Sequence, residues 1–174
     1  TAVSPLSSTT VSGPVRTQTH YHWRNDDGDE TDTGATSATD GSEDTQLTEV
    51  ERGGTRRLRI QVSNEGGVST AATNYRLEYG TKVTSCSEIG SWTQVGSLDA
   101  AFATSASSFI ADGNTTDIDN LNNGAMTEEN TTFVGTGALR EDSSESAAIT
   151  LTSTEFTELE YSIEATENSG YETD

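Results

Sequence analysis

The chain has 174 residues, a formal net charge of −20, 30% hydrophobic residues and 6% aromatic ones. A negative field of that size repels phosphate backbones and anionic bilayer surfaces, which argues against nucleic acid or membrane as a partner. The low apolar content limits the chain to one modest core, and no stretch approaches the apolar length of a membrane-spanning helix.

Residues 1–15 carry no charged side chain and include Pro5 and Pro14. Proline excludes a helix or a central strand but permits an edge strand or an extended segment. Residues 1–19 are therefore predicted to form an extended arm, a candidate donor strand. Val3, Leu6, Val11 and Val15 are its candidate plugs at a subunit interface. A β domain is predicted over residues 20–174.

Period-two alternation marks half-buried strands in that domain. Tyr21 and Trp23 alternate with His20, His22 and Arg24. Leu58, Ile60 and Val62 alternate with Arg57, Arg59, Gln61 and Ser63. Tyr75, Leu77 and Tyr79 alternate with Arg76 and Glu78. Ala147, Ile149 and Leu151 form a further run, and Leu159, Tyr161, Ile163 and Ala165 alternate with Glu160, Ser162 and Glu164. Each run has one apolar and one polar face. The polar faces are expected to be wet and the apolar faces to need a second layer. No amphipathic helix is available to supply it, so two sheets packed face to face are predicted. Residues 26–44 and 96–145 lack strong patterning and are predicted as long loops, with short strands near 92–95 and 131–134.

Metal ligands are sought first among the acids. Asp26, Asp27 and Asp29 are concentrated around Gly28, and Asp112, Asp117 and Asp119 form a second acidic group that a Ca²⁺ ion could use. The spacing is not that of an EF-hand, and clustering by chance is common in a chain with 29 acids. His20 and His22, two apart on one strand, can chelate a metal, but no third ligand is near in sequence. No cofactor is otherwise implied. No nucleophile elbow, zinc-protease motif or phosphate loop is present, and the chain is read as non-enzymatic. Trp23, Trp92, Tyr75, Tyr79 and Tyr161 could line a sugar groove, but most fall on apolar registers and suit core packing better.

Lys82 is the only lysine, and acid-rich, lysine-poor composition is a habit of proteins from salty environments. The start at Thr1, without Met, is read as a processed N-terminus of an exported chain. Two sequons, at Asn114 and Asn130, agree with export and are candidate glycosylation sites. Cys86 is alone, which is unusual in an exported protein.

The string Leu58-Arg59-Ile60-Gln61-Val62-Ser63-Asn64-Glu65-Gly66 resembles the V-x-V-x-N-x-G run of immunoglobulin-like modules in prokaryotic surface proteins. Longer strings are similar to a β-rich module of predicted secreted surface proteins of archaea and uncultivated bacteria. They are His22-Trp23-Arg24-Asn25-Asp26-Asp27-Gly28, Tyr75-Arg76-Leu77-Glu78-Tyr79-Gly80-Thr81-Lys82, Ser85-Cys86, Ser91-Trp92, and the run 151–161. The similarity spans most of residues 20–168. The resemblance implies an immunoglobulin-like β-sandwich at the cell surface without catalysis. In that module a further strand with a second cysteine follows. Its absence here puts an intrachain disulfide in doubt and implies an incomplete sheet. The expected function is a structural subunit of a pilus-like extracellular filament or surface assembly. Copies of the chain would join by donation of the arm. The alternatives are a monomeric adhesion module binding calcium or carbohydrate, and a viral surface or capsid protein from a high-salt host.

Overall fold

The computed structural model describes residues 13–29, 34–48, 50–82, 84–117, 126–127, 130–135 and 139–169. The protein is all-β among these residues, with two short 3₁₀ turns and no α-helix. Three long strands build the main sheet: β1 (Arg16–Asn25), β2 (Thr55–Asn64) and β8 (Glu155–Ala165). β2 pairs antiparallel with both of the others, aligning Trp23 with Leu58 and Leu58 with Tyr161. Residues 16–19, read from sequence as the end of the arm, are the first residues of β1.

The far edge of β8 is closed piecemeal. β6 (Thr132–Phe133) and β7 (Leu139–Arg140) pair with it in parallel, and β5 (Phe102–Thr104) pairs antiparallel. Between β6 and β7, the Thr116 hydroxyl donates to Glu158 O at 2.7 Å. Three fragments and one hydroxyl thus replace a full edge strand. The result is a central strand buried on both faces.

The apolar face of the sheet meets a thinner second layer. That layer comprises β3 (Glu78–Tyr79) paired with β4 (Thr93–Gln94), and the bridges Thr73↔Ile149 and Arg76↔Glu145. The core joins Val62, Leu159, Tyr161 and Ile163 of the main sheet to Leu77, Val95, Ile149 and Leu151 of this layer. The strands expected over 75–79 and 147–151 are therefore reduced to short pieces. The cause lies between the two bridges, where four steps of one segment oppose three of the other. The extra residue interrupts the ladder, and the Ser146 hydroxyl accepts the Tyr75 N–H at 2.9 Å in place of a backbone carbonyl.

The expectation of a wet polar face is overturned. His22, Arg57, Arg59, Gln61, Ser63, Glu158 and Glu160 are fully buried, and Arg24 nearly so. Described residues within the loops predicted over 26–44 and 96–145 lie across this face and supply backbone acceptors. Arg57 Nη2 donates to Gly28 O, Arg24 Nη2 to Ala35 O, Arg59 Nη1 to Asp117 O and Gln61 Nε2 to Thr127 O. The charges neutralise each other. Glu160 takes Arg24 Nη1 at 3.1 Å, Arg57 Nη1 at 3.2 Å and Arg59 Nε at 2.6 Å. Glu158 takes Arg59 Nη1 at 2.9 Å, and Asp26 lies 3.3 Å from Arg57 Nε. Buried charges are tolerated only when paired and hydrogen-bonded in this way.

Candidate functional site

The extended segment over residues 73–79, which ends in β3, gives its odd-numbered residues to its neighbours. Thr73 exchanges two hydrogen bonds with Ile149, Tyr75 O accepts from Ser146 N, and Leu77 bonds Ser144 and Val95. A strand alternates its hydrogen-bonding direction residue by residue. The N–H and C=O of Asn74 and Arg76 therefore point to the opposite edge. Among the described residues, no backbone group pairs with them there. Arg76 and Glu78 form an ion pair on the exposed side of this edge.

Arg16 of β1 donates to Ala71 O at 3.3 Å and to Thr73 Oγ1 at 2.7 Å, which ties this strand to the β1–β2 half of the main sheet. In that half the burial is inverted. The polar side chains of His22, Arg24, Arg57, Arg59, Gln61 and Ser63 are buried, whereas Tyr21, Trp23, Leu58 and Ile60 on the apolar face are only half-buried. A cavity of about 140 Å³ lies at one end, lined by Trp23, Leu58, Leu77, Tyr79, Phe102 and Ile163. Burial raises the Tyr75 hydroxyl pKa, opposed by the nearby Arg16 guanidinium. The outer edge of β1 over 21–25 is already occupied: Trp23 O accepts from Ala38 N, Tyr21 O from Asp44 N, and Asn25 N donates to Thr36 O.

The root of the arm is anchored on the domain. Val15 N donates to Asn64 Oδ1 at 3.2 Å, and Val15 O accepts from Glu65 N at 2.8 Å. Gly66 is required here because a Cβ would lie 2.1 Å from Gly13 O. Asn64 is fully buried, and its amide donates to the carbonyls of Val68, Leu151 and Thr152. The Asn-x-Gly string is thus the junction of arm, β2 and second layer. In the sequence this string ends the V-x-V-x-N-x-G run, and the Asn and Gly at fixed spacing were the available signal.

Of the predicted plugs, Val15 is 47% exposed, and Val3, Leu6 and Val11 lie outside the described residues. The acids proposed as calcium ligands are engaged individually. Asp26 accepts from Ser107 Oγ at 2.6 Å, and Asp112 accepts from the amides of Glu141 and Asp142 and pairs with Arg140 at 3.0 Å. Asp27 accepts from Thr36 N and Oγ1. Burial pushes its carboxyl up, but these hydrogen bonds, its own amide and Arg57 together hold it below the usual carboxylate range. Asp29 contributes its backbone carbonyl to Ala35 N, Asp117 contributes its carbonyl to Arg59, and Asp119 lies outside the described residues. Asn114 is exposed, whereas the Asn130 amide donates to Ser63 Oγ and Asn64 O. His22 Nε2 contacts Ser37 Oγ at 2.8 Å, and His20 Nδ1 contacts Asp44 at 2.7 Å. Tyr161 is buried, Trp23, Tyr75 and Tyr79 pack against the core, and Trp92 is exposed. Cys86 opens a 3₁₀ turn.

No protein-family model matches the chain, and neither a curated protein nor a solved structure matches it.

Proposed function

We propose that the protein is an immunoglobulin-like β-sandwich that acts as a structural subunit of an extracellular filament or surface assembly. In this reading each subunit donates its N-terminal arm to the next. One observation carries the reading: the edge at Asn74 and Arg76, without a backbone partner among the described residues, tied to a half of the sheet whose apolar face is incompletely covered. An unpaired edge is a template for an added strand. A strand laid along it would extend the second layer over Tyr21, Trp23, Leu58 and Ile60. Each 100 Å² of apolar surface so covered contributes about 2.5 kcal/mol, from which the entropy of ordering the arm is subtracted.

The arm suits that role. It has no charged side chain to bury and brings Val3, Leu6 and Val11. Its root at residues 13–15 is fixed on its own domain, so the preceding twelve residues are the donated portion. Head-to-tail repetition of such a contact generates an open fibre. The net charge of −20 keeps subunits apart except where the uncharged arm docks, and high salt relieves that repulsion.

The test is deletion of residues 1–12, followed by sizing and electron microscopy beside the full chain. The full chain forms polymers, and the truncated chain remains folded but monomeric. Polymers of unchanged length after truncation, or a full chain that stays monomeric at high salt, overturn the reading.

A further inference from the structure

The geometry points to a divalent transition-metal site formed by His20 Nδ1 and the carboxylates of Glu43 and Asp44. Among the described residues these three form the one group of His, Cys, Asp or Glu side chains whose ligand atoms all lie within 4.8 Å of one another. His20 Nδ1 is 2.7 Å from Asp44 Oδ2 and 3.6 Å from Glu43 Oε2. Its position follows from an irregularity in β1. The register with β2 shifts between Gln18 and Tyr21, and such a bulge re-aims side chains. His20 thereby faces residues 43–44, whereas His22 faces Ser37.

Both carboxylates are held from behind. Asp44 Oδ1 accepts from Tyr21 N at 3.0 Å, and Asp44 N donates to Tyr21 O at 2.8 Å. Glu43 accepts from Thr127 N at 2.7 Å and from Thr127 Oγ1 at 2.6 Å. Outer partners of this kind orient metal ligands and raise affinity. The Asp44 backbone sits at φ 53, a left-handed conformation that fixes the turn presenting both acids.

One imidazole nitrogen with two carboxylates suits Zn²⁺, Co²⁺ or Ni²⁺ better than Ca²⁺, which takes oxygen ligands alone. Zinc sits about 2.0–2.2 Å from such ligands, so His20 and Asp44 must part slightly to admit it. The Asp44 side chain, 43% exposed, has room to move, and the open side leaves a position for water. The bound ion would clamp the 34–48 loop onto β1. This site is separate from the strand-donation edge and stands or falls without it.

The test is Co²⁺ titration of the chelator-stripped full chain, read by visible d–d absorption, with Zn²⁺ competition and thermal melts alongside. The wild type gives tetrahedral or five-coordinate bands that saturate at one ion per chain and vanish with Zn²⁺ but persist in a large excess of Ca²⁺. An ion that binds only the folded state raises Tm, and the rise grows with the logarithm of free ion above its Kd. His20→Gln loses the bands and the Tm response, and so does the double variant Glu43→Gln, Asp44→Asn, which keeps the imidazole. Absence of bands in the wild type, their retention in either variant, or their displacement by Ca²⁺ overturns the proposal.

Discussion

Arg59 sits between Glu158 and Glu160, donating from Nη1 to the first at 2.9 Å and from Nε to the second at 2.6 Å, with all three side chains fully buried. Replacing Arg59 by Met removes one partner and leaves buried carboxylate behind. A loss of about 3–5 kcal/mol is expected, measured by urea unfolding. Arg76→Ala, which breaks an exposed pair, should cost under about 1 kcal/mol in the same assay. Equal effects from the two variants would show that the buried network is solvated in solution.

How the sequence announced this fold, and where it misled, can be followed along β2. The alternation Leu58, Ile60, Val62 against Arg57, Arg59, Gln61 gives the strand and its two faces correctly. It cannot tell a face covered by water from one covered by loops, because in both cases the side chains must be polar. Loops 26–44 and 96–145 lack periodicity, yet they bring the carbonyls of Gly28, Ala35 and Asp117 over the arginines. The grouping of His20 with Glu43 and Asp44 was hidden for a related reason. It depends on a bulge and a return loop, and neither leaves a periodic trace. The short strands at 93–94 and 132–133 were legible where sequence placed them.

Asn64 offers a second measurement. Its amide nitrogen holds three carbonyls while its oxygen accepts the amides of Val15 and Gly66. Asn64→Asp retains an acceptor for Val15 and Gly66 but replaces the donor with a second acceptor facing the carbonyls of Val68, Leu151 and Thr152. Stranding buried polar groups costs about 1–3 kcal/mol each, more with a charge, so the loss should exceed that of Asn64→Ser. Hydrogen exchange should quicken at Thr70 and Val15, whose segments this amide joins. Local protection unchanged from wild type would refute the junction.

Salt should stabilise the fold through its surface. Among the described residues the buried network sets three arginines against three acids, Glu158, Glu160 and Asp26, so the net charge of −20 lies mainly outside it. Raising NaCl from about 0.1 M to about 2 M shortens the screening length from about 10 Å to under 3 Å and weakens that repulsion. Tm should rise across this range in the wild type, and by a similar amount in Arg59→Met, because the network lies out of reach of the ions. A Tm indifferent to salt would argue against halophilic adaptation.

The edge at Asn74 and Arg76 can be blocked without touching the arm. Proline lacks an N–H and is tolerated at a strand edge whose donor faces outward. Arg76→Pro removes the donor that points away from residues 144–151 and gives up only the exposed pair with Glu78. The bonds of Tyr75 and Leu77 to Ser146 and Ser144 lie on the other edge and persist. The variant should melt within a few degrees of wild type yet fail to polymerise. Mixed with wild type, it should cap filaments at one end, because its own arm can still dock while its edge cannot receive one. Shortened filaments at rising variant fraction, counted by electron microscopy, are the expected result. Normal filaments made from the pure variant would move the docking site to another part of the molecule.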